Sequence, residues 1–189
     1  MSARAAAAVR ETQVPAETVI HATLAGAHFF DAYTTGDPRP ATNALQTWLN
    51  VVARTPLWTK HLMAARNQLV RLVGLTGAGQ LQDMHPPASG GSPRHACSYR
   101  VGDRVGIFLI RHLSDTEVVM AQNDKHLNVQ VSLVKHSNPD GSAMVVLSTV
   151  VHIHNLLGHA YMAIVTPFHR RIVRVMLQRL ATRAPHGQR

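Results

Sequence analysis

LNVQVSLVKHSNPDGSAMVVLSTVVHIH, residues 127–154, decides the fold. Leu127, Val129, Val131 and Leu133 alternate with Asn128, Gln130 and Ser132. That period of two is the mark of a half-buried strand with one wet face. Asn138-Pro139-Asp140-Gly141 is a turn sequence. Beyond it the valine-rich run from Ala143 to His154 makes a second long strand. A turn this short joins its strands antiparallel.

Working upstream, the same grammar repeats. Asn123-Asp124 is a turn, Glu117 to Gln122 a strand, Ser114-Asp115 a hairpin-type turn, and Val105 to Ile110 a strand after the turn Val101-Gly102-Asp103. Residues 76–98 hold glycines and prolines without a period and read as a long mobile loop. Two helices in tandem precede it. Leu45, Trp48, Leu49 and Val52 share one face of the first, and the second starts at Thr55-Pro56 and stops at Gly74. Val19 to Phe30 reads as an opening strand leading to Asp31 and Tyr33, and Gly36-Asp37-Pro38-Arg39-Pro40 as loop. Downstream, Tyr161, Ile164, Val165, Phe168, Ile172, Met176 and Leu180 form the stripe of a long terminal helix, which Pro167 is expected to kink or restart with Thr166 as cap.

Helix and sheet each need a partner for their apolar face. The expected fold is therefore α+β: one domain over 17–183, its curved antiparallel sheet wrapped around the terminal helix, with flexible ends at 1–16 and 184–189. A chain of 189 residues that is 46% hydrophobic has material for one core. It carries one cysteine, Cys97, so no internal disulfide forms and an oxidising compartment gains no support. With neither a signal peptide nor a long apolar run, the expected location is the cytoplasm, without a transmembrane segment.

Four ordered landmarks carry a resemblance: Tyr99-Arg100-Val101-Gly102-Asp103, Asn123-Asp124-Lys125-His126-Leu127, Val151-His152-Ile153-His154-Asn155 and Pro167-Phe168-His169-Arg170. Over roughly residues 28–182 the chain resembles an uncharacterised bacterial family, domain-of-unknown-function family 2867, within the START and Bet v 1-like (polyketide cyclase-like) superfamily. The resemblance implies a helix-grip fold and an internal apolar cavity. It supplies no activity, no cofactor and no catalytic residue.

His152 and His154 lie two apart in a strand, so their side chains point the same way. Either His126 or Asp124, at the start of the neighbouring strand, is placed to join them, and Asn155 follows directly. The expected role of His126, His152, His154, Asn155 and Asp124 is the polar end of a site for a small hydrophobic or amphipathic molecule. The same histidines suit a metal-assisted or acid–base enzyme, a cyclase, hydrolase or lyase. Asp31, near His28 and Tyr33, reads as a capping or turn residue more readily than as part of a cavity mouth.

Net charge is +9, and His169, Arg170, Arg171, Arg174, Arg179, Arg183 and Arg189 crowd the C-terminal end. A basic helix of this kind suits an interaction module on an anionic surface. Few aromatics interleave with the arginines, which argues against single-stranded nucleic acid, and no phosphate loop or dinucleotide fingerprint is present.

Overall fold

The computed structural model describes residues 8–53, 96–138 and 141–182. Seven strands form one antiparallel, curved, open sheet: β1 (Arg10–Thr12), β2 (Phe29–Gly36), β3 (Arg104–Val105), β4 (Phe108–Leu113), β5 (Glu117–Asn123), β6 (Leu127–Ser137) and β7 (Ala143–Ile153). Their spatial order is β1-β2-β7-β6-β5-β4-β3. Helix α1 (Ala44–Ala53) and the 26-residue terminal helix α2 (Leu156–Ala181) pack on the same face of this sheet. The α+β class and the β5–β6–β7 meander agree with the sequence reading. The predicted second helix at 55–74, and all of the predicted loop except Ala96–Ser98, lie outside the described residues.

Register decides what faces what. Phe29, Asp31, Tyr33 and Thr35 of β2 stand opposite Val151, Thr149, Leu147 and Val145 of β7, and residues directly opposite share a face. This face packs the main core: Tyr33, Leu133, Leu147, Met120 and Ile110 against Leu45, Trp48 and Val51 of α1 and Val173, Leu177 and Leu180 of α2. The other face is closed by residues 14–27. There Val14 and Ile20 cover Ala32, Val119, Val146 and Val150.

The expected stripe of the terminal helix is shifted, with Ile164 and Phe168 exposed and Met162, Val173 and Leu177 buried beside Leu180. Three further local expectations are corrected. The run from Val19 to Leu24 is a 3-10 helix, not the front of β2. The Glu117 carboxylate, reaching from β5, accepts the Val19 N–H at 3.0 Å and the Ser132 hydroxyl at 2.9 Å, so this short helix is held by a buried acid rather than by strand pairing. Second, the expected strand over 105–110 is broken at Gly106, whose φ of 61° makes the tight turn between β3 and β4. Third, α2 runs unbroken through Pro167. Pro167 is on the exposed side of the helix, and the Thr166 hydroxyl bonds back to Met162 O at 2.6 Å instead of capping a new start.

Candidate ligand site between strand β2 and the terminal helix

Period-two geometry puts Phe29, Asp31 and Tyr33 on the helix-covered face of β2, and helical spacing puts His169, Arg170, Val173 and Arg174 of α2 over them. His169 Nε2 and Asp31 Oδ1 are 3.1 Å apart, the imidazole N–H donating to the carboxylate. The Phe29 ring meets the His169 ring edge to face, centroids 5.8 Å apart, which steadies the imidazole from a second side. Guanidinium groups lie over the two aromatic rings: Arg170 is 5.8 Å from the Phe29 centroid and Arg174 5.1 Å from that of Tyr33. Arg174 also donates to Glu11 of the adjoining edge strand at 3.1 Å.

Two polar atoms are left over in this seam. The Asp31 side chain is 2% exposed and its Oδ2 has no hydrogen-bond partner among the described residues. Tyr33 is 0% exposed, and its hydroxyl is likewise without a partner among them. Leaving such a group buried and unsatisfied costs about 1–3 kcal/mol, so native proteins rarely do it without a reason.

Burial pushes the Tyr33 phenol above its usual pKa of 10.0, and the neighbouring Asp31 and Glu11 carboxylates push the same way against the pull of Arg174 and Arg170. At neutral pH Tyr33 is therefore a hydrogen-bond donor without an acceptor among the described residues. The raised value has a consequence for stability. The unfolded chain loses this proton near pH 10, the folded one later, so the contribution is intact below about pH 10 and is lost as the pH climbs through the folded value. Ultraviolet titration of the three tyrosines is expected to show one late component that Tyr33→Phe removes, together with part of the alkaline fall in stability.

The residues singled out from the sequence divide between places. Asp124, His126 and Asn155 come together where the β5–β6 turn meets the start of α2. Asp124 Oδ1 accepts the N–H groups of His126 and Leu127, and Asn155 caps α2 through Gly158 N at 3.0 Å while its amide lies 3.1 Å from His126 Nδ1. His152 alternates to the other face of β7, where its Nε2 lies 3.2 Å from Ala25 O, and His154 is exposed beyond the strand end. Among the described residues no three His, Cys, Asp or Glu side chains converge as a metal site. Sequence reasoning passed over His169 as part of the basic helix face, and Asp31 as a cap. The available signal was a lone acid in mid-strand, two positions from Tyr33 on one face.

A separate cleft of about 410 Å³ opens beside Pro40, Thr42, Asp115 and His136. Its cation, Lys135, is already committed to Asp37 and to the carbonyls of Arg39, Pro40 and Thr42. An ammonium has three protons, so this one has none to offer a ligand.

The model of the family described as Protein of unknown function (DUF2867) matches residues 23–176. No curated protein and no solved structure matches the chain. No helix among the described residues is long and apolar enough to cross a membrane.

Proposed function

We propose that this chain, which belongs to the DUF2867 family, binds a small amphipathic molecule between its sheet and its terminal helix. The architecture in this reading is the helix grip of the START and Bet v 1-like superfamily, and the location is the reducing cytoplasm. The observation that carries it is the pair of buried polar atoms without partners among the described residues, Asp31 Oδ2 and the Tyr33 hydroxyl, at the edge of the apolar core between β2 and α2. Pockets for small molecules combine apolar walls with a few placed polar groups. Here the carboxylate accepts, the phenol donates, and His169 holds the carboxylate in place. The complementary ligand has an apolar body and neighbouring hydroxyl and carbonyl groups. Entry lies past Arg174, whose bond to Glu11 is an exposed ion pair worth at most about 1 kcal/mol, so the guanidinium swings aside at little cost.

Calorimetric titration with hydroxylated sterols, fatty acids and polycyclic hydroxy-ketones tests the reading. A bound member is expected to lose about tenfold or more in affinity in Asp31→Asn, which keeps the shape but removes the charged acceptor. A panel without a binder, or a binder indifferent to both Asp31→Asn and Tyr33→Phe, would overturn it.

A further inference from the structure

All ten acidic residues of this chain lie at or before position 140. From Gly141 to the end there is none, while Arg170, Arg171, Arg174, Arg179, Arg183 and Arg189 all fall there. Helix α2 is thus cationic without any acid of its own to neutralise it. Its buried side is made by Met162, Val173, Leu177 and Leu180. Its solvent side is divided along its length. In the first half the exposed positions include Leu156 at 87%, Ile164 at 42% and Phe168 at 46%. In the second half they are Arg170, Arg171, Arg174, Gln178 and Arg179.

Large apolar side chains on the solvent side of a helix carry a hydration penalty that folding has not removed. Arginine-rich surfaces facing nucleic acid have no use for them, because phosphate contacts are made by the cations alone. An anionic lipid surface uses both: the arginines meet the headgroups and the leucine, isoleucine and phenylalanine enter the acyl boundary.

We infer that the solvent face of α2 docks on an anionic lipid membrane, with Leu156, Ile164 and Phe168 inserted and Arg170, Arg171 and Arg174 at the headgroups. Leu156, Ile164, Phe168 and Arg171 have no part in the small-molecule site, whereas Arg170 and Arg174 also stand over its Phe29 and Tyr33 rings, so variants at the first four test the surface separately.

Co-sedimentation of the full chain with vesicles tests it. At low ionic strength the chain is expected to bind an equal mixture of phosphatidylglycerol and phosphatidylcholine and to leave pure phosphatidylcholine largely unbound. Arg171→Glu is expected to weaken binding about fivefold or more, following the value of one cation near such a surface. The double variant Ile164→Ser, Phe168→Ser is expected to weaken it about tenfold, with the fold checked by circular dichroism, since both positions are exposed. Absence of binding to the anionic vesicles, or equal binding to pure phosphatidylcholine, would overturn the inference. So would anionic binding that the serine variant leaves unchanged and that a DNA duplex competes away, because the face would then be a nucleic-acid surface.

Discussion

Lys135→Met is expected to cost about 3–5 kcal/mol of unfolding free energy, the penalty of stranding the partner of a buried charge. The Lys135 side chain is 8% exposed and that of Asp37 is 0% exposed, with Nζ and Oδ2 3.0 Å apart. The ammonium also serves the carbonyls of Arg39 and Pro40, at 3.0 and 3.2 Å, and that of Thr42. One side chain of β6 therefore ties down the whole connection from β2 to α1. Methionine fills similar volume but leaves the buried carboxylate with the Arg39 N–H as its remaining donor, its charge uncompensated, and takes the ammonium away from three backbone carbonyls. In a chain of this size the loss corresponds to a fall on the order of 10 °C in melting temperature. Adding Asp37→Asn removes the stranded charge while keeping an acceptor for Arg39 N, now 2.9 Å from Oδ1, and is expected to recover a substantial part of the loss. Urea denaturation of the two variants measures this. A loss below about 1 kcal/mol in Lys135→Met would mean that the pair behaves as a surface ion pair.

That pairing illustrates which parts of the molecule were legible in the sequence. Alternation along 127–133 and the Asn-Pro-Asp-Gly turn depend on near neighbours, and they placed β6 and β7 correctly. The face of α1 was legible in part for the same reason: Leu45 and Trp48 are core residues and Leu49 packs against them, but Val52 is 41% exposed and Val51 takes its place in the core. What failed was decided across distance. Val19 to Leu24 is apolar enough for a strand, but Glu117, 98 positions away, holds Val19 N and turns the segment into a 3-10 helix. Asp31 looked like a boundary residue because β2 was expected to start earlier. Once β2 begins at Phe29, Asp31 is an interior position facing α2, opposite Thr149. Its partner His169 is 138 residues away, and no spacing rule links them. Alternation was expected to put His152 and His154 on one side of a strand, but β7 ends at Ile153 and only His152 has a place in its register. The pairing with β2 and β6 decides that the His152 side is the one away from α2.

The junction that holds α2 against the sheet yields the second large effect, and its sign runs against helix propensity. Gly158→Ala in an open helix would stabilise by about 1 kcal/mol. Here a Cβ at Gly158 would lie 2.5 Å from the backbone oxygen of His126 and 2.7 Å from Ile153 Cγ2. The first obstacle cannot rotate away, because it is backbone. That same oxygen accepts the His154 N–H at 2.8 Å, the last link between β6 and the end of β7. To admit a methyl group α2 must lift, and lifting it strains the Asn155 cap, which reaches both Gly158 N and Lys125 O. Overpacking of this kind costs about 1–3 kcal/mol, and the engaged backbone puts this site at the upper end. The expected net result for Gly158→Ala is a loss of about 2 kcal/mol, the steric cost less the propensity gain. Chemical denaturation beside Asn155→Ala, expected to lose about 1 kcal/mol from the cap, calibrates the comparison. An alanine variant as stable as the parent would mean that α2 is free to move away from His126, and the close approach would then contribute nothing to how the helix is seated.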